Sequence, residues 1–304
     1  MLYLTEKDVE QNLSVSDLIP ALRDFISDLG TGKAYSSPRN RIIADGHILN
    51  TMPASAPKYN ISGLKSYVSS RNGFRAVVLV FRIDPPELIA AVDAEILGQL
   101  RTGALPAMVS SLIVKKRIVN FALFGSGFQA RTQLTGMASA FNIEKAYVFS
   151  RHPENSRKFA QRYAGELGID IISVDRPEDA LRDPDIVSTI TSSKTPLFTA
   201  SMLPDHYHLN LAGGNLPNRM EVGKDVMDVS STIIVEHVDQ AMMESGEIIG
   251  SGISRDDSRI IEMGNFVSDP LKYRIGDRTV FKSMGIGLED LCAAYVVLKK
   301  LGQI

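Results

Sequence analysis

The chain is nearly without thiols: Cys292 is the single cysteine among 304 residues. One thiol excludes an internal disulfide and any zinc site built from several cysteines. It stands in the apolar run Leu291-Cys292-Ala293-Ala294, which suits a small buried hydrophobe. An excess of one charge is also missing. Lys and Arg total 33 against 35 Asp and Glu, a net charge of -2, so there is no electrostatic footprint for nucleic acid or an anionic membrane. The densest basic run, Lys115-Lys116-Arg117, fits the end of a helix better than a polyanion contact. No apolar run reaches membrane-spanning length, and Met1 to Glu6 lacks the basic and apolar segments of a signal peptide. The expected location is the cytoplasm. The histidines number five, and only His206 and His208 lie close together, entering an apolar strand. A structural role is expected for them, and no metal centre.

What is present is the composition of an ordinary globular protein, 44% hydrophobic and 22% charged. The length allows two modest domains or one large α/β unit. Thr5 with Asp8 three residues later predicts a capped helix start, and apolar spacing predicts a second helix over 15–29. Strands are expected at 41–43, 47–52, 64–68 and 76–81, divided by turns at Asp45-Gly46 and Ser62-Gly63 and closed by Asp84-Pro85-Pro86. A mixed sheet with flanking helices accounts for them. A long helix is expected over 91–116, bent or interrupted at Pro106. Its Arg101-Thr102 pair is by default solvated. From Val119 onward strand and helix alternate, the signature of a parallel sheet, and a closing helix is expected over 289–301. Asp256-Asp257 beside Arg255 and Arg259 suits a solvated loop.

Gly125-Ser126-Gly127-Phe128-Gln129-Ala130 follows a buried-type strand, Val119 to Phe124, and precedes an amphipathic helix. The pattern is G-x-G-x-x-A. Gly125 permits the tight turn, Gly127 lets a pyrophosphate approach the backbone, and Ala130 allows close helix–strand packing. The helix N-terminus offers free amides to the anion. In this context the turn predicts a bound nicotinamide dinucleotide. The second strand of such a unit ends at the ribose, where an acidic residue would select NAD. Here Ser150-Arg151 takes that place, and a guanidinium that pairs with a 2′-phosphate favours NADP(H), with NAD(H) the alternative. The competing reading of Arg151 is a solvated surface charge.

The turn, preceded by Arg101-Thr102-Gly103-Ala104, resembles the ornithine cyclodeaminase/mu-crystallin family. Further matches run in order along nearly the whole chain. They are Pro38-Arg39, Met52-Pro53-Ala54, Gly63-Leu64-Lys65, Asp185-Ile186-Val187 with Thr191-Ser192-Ser193, and Ser283-Met284-Gly285-Ile286-Gly287-Leu288-Glu289-Asp290. The resemblance implies an α/β fold: a Rossmann-type doubly wound parallel sheet over 113–283, and a second α+β domain for substrate binding and dimerisation. That second domain comprises 1–112, with 284–304 returning to it. A homodimer is implied, with an active site in the cleft between the domains.

Residue by residue, the resemblance implies that Arg39, Lys65 and Arg101 surround a substrate carboxylate, which guanidinium groups grip bidentately. Lys65 would also shuttle a proton at nitrogen if neighbouring arginines lower its pKa. Arg41 is an alternative to Arg39, on the same face if the segment is a strand. Thr102 and Thr191 join the cofactor residues Gly125, Ser126, Gly127, Phe128, Gln129, Ala130, Ser150 and Arg151. The chain departs from the family where many members carry Gly-Ala-Asp-x-Pro-Gly-Lys-x-Glu-Leu. Gly213-Gly214-Asn215-Leu216-Pro217-Asn218-Arg219-Met220-Glu221-Val222 stands there. Asn215 replaces an aspartate that moves protons in cyclodeaminases, and an amide cannot titrate. Glu221, Asp225 or another carboxylate standing in for it is the alternative.

The leading expectation is an NAD(P)-dependent oxidoreductase acting on a small α-amino or α-imino acid. The reaction would be of the ketimine reductase, pyrroline-2-carboxylate reductase or amino-acid dehydrogenase type, since hydride comes from the cofactor. The alternatives are ornithine cyclodeaminase, releasing proline and ammonia with NAD recycled, and a non-catalytic NADPH or small-ligand binding protein.

Overall fold

The helix starts follow the caps. The Asp8 carboxylate accepts from the Thr5 amide at 2.8 Å and the Thr5 hydroxyl accepts from the Asp8 amide at 3.3 Å, opening α1 (Glu6–Asn12). Ser14 and Asp17 make the same reciprocal cap for α2 (Val15–Gly30). The computed structural model describes residues 1–304, and two sheets carry the architecture.

The first sheet holds β1 (Leu2–Leu4), β2 (Tyr35–Ser36), β3 (Asn40–Ala44), β4 (His47–Ala56), β5 (Ile61–Ser70), β6 (Gly73–Arg82) and β7 (Glu87–Asp93). Its order is β1-β7-β6-β5-β4-β2, with β3 also paired to β4. Only the β1–β7 pair is parallel. The Asp45-Gly46 turn forms as expected, both residues at positive φ. The turn expected at Ser62-Gly63 does not. Both residues lie inside β5, and the reversal falls at Pro57–Tyr59, ending on Asn60 at φ 56°. Gly63 is a space requirement instead: a Cβ there would stand 2.3 Å from the Leu79 carbonyl oxygen and 3.0 Å from Leu291 Cδ1.

The helix expected over 91–116 is α3 (Glu95–Ile113). Ala91 to Asp93 belong to β7, paired with β6 and β1. The start is set from far away, because the Glu6 carboxylate accepts from the amides of Glu95 at 2.8 Å and Ile96 at 2.9 Å. Beyond the other end, Lys115 Nζ donates to the Leu112 carbonyl at 2.7 Å. Pro106 does not interrupt α3. The Thr102 carbonyl, which loses its partner because Pro106 has no N–H, accepts instead from Gln133 Nε2 at 2.8 Å. Gln133 lies on α4 (Ala130–Ala140), which approaches α3 closely through Gly103 and Gly136. A Cβ on Gly103 would sit 2.1 Å from the Thr132 carbonyl oxygen.

The second sheet is parallel throughout. It comprises β8 (Ile118–Phe124), β9 (Asn142–Phe149), β10 (Asp170–Val174), β11 (Ile186–Thr189), β12 (Tyr207–Leu211), β13 (Thr232–Val235), β14 (Ile260–Glu262) and β15 (Arg278–Lys282). The order is β10-β9-β8-β11-β12-β15-β13-β14, the doubly wound arrangement of a Rossmann sheet. Helices α5 (Pro153–Leu167), α6 (Pro177–Ala180), α7 (Lys224–Val229), α8 (Val238–Glu244), α9 (Gly246–Ser251) and α10 (Met263–Ser268) lie between its strands. Alternate residues of β8 enter opposite cores: Phe121 and Leu123 one, Ala122 and Phe124 the other.

The closing helix, α11 (Gly287–Lys300), returns to the first sheet and packs on β4 and β5. Its Leu291, Ala294 and Leu298 share a core with Phe25 of α2, Val78 of β6 and Leu105 of α3. Ile234 and Phe281 of the second sheet belong to the same core, which therefore spans both halves. No helix is long and apolar enough to cross a membrane.

Candidate active site

The sheet order changes direction between β8 and β11, because the chain winds to β9 on one side and to β11 on the other. Crevices for ligands form at the carboxyl ends of strands at such a point. Gly125 follows β8 there at φ 119°, and a Cβ on it would stand 2.6 Å from the Ile190 carbonyl oxygen. Gly127 is open, with nothing within 4 Å of a Cβ. α4 begins at Ala130 with no side chain capping its amides, and Gln129 Oε1 is buried without a partner. Open space above Gly127, free helix amides and an orphaned acceptor beside them all fit a dinucleotide pyrophosphate and its neighbouring groups. Ser150 and Arg151 follow the end of β9, where the Phe149 carbonyl accepts from the Gly125 amide at 2.9 Å.

A cleft of about 550 Å³ runs from this turn to the inner face of the first sheet. Phe128, Gln129 and Thr102 line it on the cofactor side; Arg39, Arg41, Lys65, Arg101, Asn215 and Arg219 line the remainder. Arg101 and Thr102 are therefore not solvated. They are only 8% and 9% exposed, on a helix buried on almost every face.

Lys65 reaches the cleft because β5 turns Ile61, Gly63 and Lys65 inward at every second residue. Its ammonium lies beside Gly98 of α3, where a Cβ would approach to 3.1 Å. Nζ donates to Asp290 at 2.8 Å, and Arg101 Nε donates to the same oxygen at 3.1 Å. Arg101 Nη1 donates to Glu289 at 2.9 Å. Burial pushes the Lys65 pKa down from its usual 10.5; Asp290 opposes this, and Arg101 and Arg39 reinforce it. Asp290 is held below the ordinary carboxylate range: burial works the other way, but Arg101 and Lys65 prevail. Burial, followed by the nearby Glu236 carboxylate, raises Glu289 well above its usual value.

Arg39 is also buried, and more fully engaged. Nη1 donates to Glu244 at 2.5 Å, and Nη2 donates to the carbonyls of Met284 at 2.6 Å and Gly285 at 3.1 Å. Its Nε is buried without a partner. Arg41, on the next strand residue but one, donates from Nε to Asn50 Oδ1 at 2.9 Å and from Nη2 to the Asn215 carbonyl at 3.2 Å. Arg39 and Arg41 thus both border the cleft, and Glu244 holds them together.

The cleft contains Asn215, but neither carboxylate considered as its replacement. Asp225 is exposed and accepts from the Ala200 amide at 2.7 Å. Glu221 is buried and accepts from four donors: Thr189 Oγ1 at 2.6 Å, Gly213 N at 2.9 Å, Thr191 N at 2.7 Å and Thr191 Oγ1 at 2.8 Å. The Thr191 hydroxyl accordingly faces Glu221. Among the residues lining the cleft, Glu95 is the one acid. No cluster of potential metal ligands is present. His208 is buried between Thr279 Oγ1 and Asn210 Oδ1. Asp257 is tied to Arg259 at 2.8 Å rather than loose in solvent.

Glu236, Glu244, Glu289 and Asp290 are the site residues that sequence reasoning missed. Acidic residues in the first turn of a helix are ordinary, so Glu289-Asp290 at the start of α11 gave no separate signal. Glu244 lies 205 residues from Arg39, and Glu236 accepts from the Ser283 hydroxyl and the amides of Met284 and Gly285.

Comparison with known proteins agrees along the whole length. The model of the ornithine cyclodeaminase/mu-crystallin family matches residues 1–303. Alanine dehydrogenase of Archaeoglobus fulgidus is 27% identical, the match covering 97% of this chain and 94% of that protein. Ketimine reductase mu-crystallin of Mus musculus is 26% identical, over 97% and 96%. The structure of Thermococcus litoralis Delta(1)-pyrroline-2-carboxylate reductase in complex with NADH and L-proline superposes with a TM-score of 0.91. It is 25% identical, with 100% of this chain and 98% of that one covered.

Proposed function

Because the chain belongs to the ornithine cyclodeaminase/mu-crystallin family, we propose that it is an NAD(P)-dependent enzyme that reduces a small α-imino acid to the amino acid, or runs the reverse oxidation. One observation carries this reading: the Lys65–Asp290–Arg101 cluster and the Gly125–Ala130 turn open into one cleft. When bound, a nicotinamide would supply hydride to the imine carbon, so that C=N becomes CH–NH with one proton added at nitrogen. Arg101 and the unpartnered Nε of Arg39 hold the α-carboxylate. Lys65, with two of its three donors unused by Asp290, orients the nitrogen and gives or takes its proton. Met52, Ile190 and Met284 form an apolar part of the cleft wall.

Residues 1–112 with 284–304 form the substrate-binding and dimerisation part in this reading, and 113–283 the cofactor part. Arg151, at the end of β9 and with no carboxylate partner, supports NADPH over NADH. Arg151→Ala should raise KM for NADPH about tenfold and leave KM for NADH nearly unchanged; equal effects would refute the preference. The outer face of the first sheet, with Ile42, Val68 and Phe81 exposed, supports a homodimer. Light scattering should give twice the chain mass, and Ile42→Glu should shift it toward the monomer. A single buried thiol suits a cytoplasmic protein.

Cyclodeamination of ornithine is disfavoured because Asn215 cannot titrate, and Glu221 and Asp225 lie outside the cleft. The deciding assay follows nicotinamide absorbance with 2-oxo acids plus ammonia, and with cyclic imino acids. Incubation with ornithine and catalytic NAD runs in parallel. Turnover of the first group supports the proposal; release of proline and ammonia from ornithine alone would overturn it.

A further inference from the structure

More cationic side chains line the cleft than one amino-acid carboxylate requires. Five cations line it: Arg39, Arg41, Lys65, Arg101 and Arg219. Two carboxylates serve four of them. Glu244 is shared by Arg39 at 2.5 Å and Arg41 at 3.1 Å, and Asp290 by Lys65 at 2.8 Å and Arg101 at 3.1 Å. A third, Glu289, pairs with Arg101 at 2.9 Å, and burial followed by Glu236 raises its pKa well above the usual carboxylate value. Glu95 lines the cleft without touching any of the five. Arg219 borders the cleft with no ion pair.

These cations fall into two groups. Lys65 and Arg101 sit together on Asp290, at the end reached by α3. Arg41 and Arg219 flank the Gly213-Gly214-Asn215 loop: Arg41 donates to the Asn215 carbonyl, and a Cβ on Gly214 would lie 3.3 Å from Arg219 Cβ. The strand register fixes the offset. Lys65 on β5 pairs with Met52 and Arg41 on β3 pairs with Asn50, so the two face the same way across β4. They stand two strand spacings apart and two residues offset along it, roughly 12 Å between their backbones, and both side chains reach the same cleft. Arg41 is also pre-set. Asn50, Asn215 and Glu244 hold its Nε and Nη2, while Nη1 has no partner and the side chain is only 15% exposed. An anchored guanidinium with one free edge is a built receptor for an oxyanion.

We propose that the substrate carries a second carboxylate on its side chain, bound by Arg41 and Arg219, so that the enzyme acts on an α-imino dicarboxylic acid of four or five carbons. This rests on the reductase reading and narrows it. The reaction balances as before: hydride to the imine carbon, one proton to nitrogen, and both carboxylates unchanged.

The test uses the full chain with NADPH or NADH. Oxaloacetate and 2-oxoglutarate, each with ammonia, are compared with pyruvate plus ammonia. At least one diacid should exceed pyruvate in kcat/KM by about tenfold to a hundredfold, mostly through KM. Arg41→Met and Arg219→Met should each bring that ratio toward one. Arg219 has no ion pair, so its removal strands no buried carboxylate and the fold is retained. Equal or better use of pyruvate, or a ratio unmoved by both variants, overturns the proposal. Binding gives a readout independent of turnover. With NADP+ or NAD+ present, calorimetry should show L-malate binding at least tenfold tighter than L-lactate, and equal affinities also overturn the proposal. Tight binding of malate without reduction of any imino acid would support the second anion site and remove the reductase reading instead.

Discussion

At the residue scale the site turns on Lys65, whose burial lowers a pKa that exposure would leave near 10.5. A lowered value makes the neutral amine more accessible than that of an exposed lysine, and in the proposed reaction that amine would accept a proton from a substrate ammonium. In the oxidative direction kcat, which reports ionisations of the bound complex, should therefore climb with pH through a value below 10.5. Lys65→Arg keeps the charge but cannot deprotonate. It should lose the climb and about a hundredfold in kcat, with cofactor affinity by fluorescence titration nearly intact. Unchanged activity would remove Lys65 from the chemistry. Lys65 and Arg101 were legible from the motifs around them, but their burial was not. A polar pair in mid-helix reads as solvated until the Asp290 carboxylate, 189 residues from Arg101, is known to face it.

At the scale of elements, Glu221 joins the ends of β11 and β12 on either side of the cofactor crevice. Both of its oxygens accept from a backbone amide, Oε1 from Thr191 and Oε2 from Gly213. A glutamine in either orientation would put an N–H against one of these amides, leaving a buried donor unmet. Glu221→Gln should accordingly raise KM for the cofactor about tenfold, with a smaller change in kcat, because Glu221 positions the loops and touches no reacting atom. Rescue by Glu221→Asp, or an equal fall in stability with no change in KM, would argue against that geometry. Caps, strand alternation and the glycine turn are local signals, and they predicted α1, α2, β8 and α4 closely. The start of α3 was misjudged because its cap comes from Glu6, 89 residues earlier. Gly63 was misjudged because the reason for a glycine there is Leu79 and Leu291, not the neighbouring chain.

At the scale of the whole molecule, stability should depend on the neutral His208 buried on β12, inside the second sheet. Burial lowers its pKa from 6.5 to about 4. Asn210 Nδ2 donates to Ser110 and Ser188, so Asn210 Oδ1 is left to accept from His208 Nε2–H, and Nδ1 accepts from Thr279. The folded pKa lies below the unfolded one. The contribution is therefore present above pH 6.5 and is lost as pH falls toward about 4, a loss of about 3 kcal/mol. Denaturant unfolding of His208→Asn across that window should show a slope of stability against pH shallower by up to about 1.4 kcal/mol per unit. An identical slope would show that the imidazole titrates normally.

By itself the sequence determined the class of fold, the dinucleotide turn and the family. Each of these is written in contiguous stretches, where strand periodicity, capping and glycine spacing act within a few residues. Tertiary structure alone decided which charges share the cleft. Glu244 from the second half and Asp290 from the returning helix meet Arg39, Arg41, Lys65 and Arg101 from the first. Coulomb energy and desolvation depend on distance through space and on burial, and neither quantity is encoded by separation along the chain.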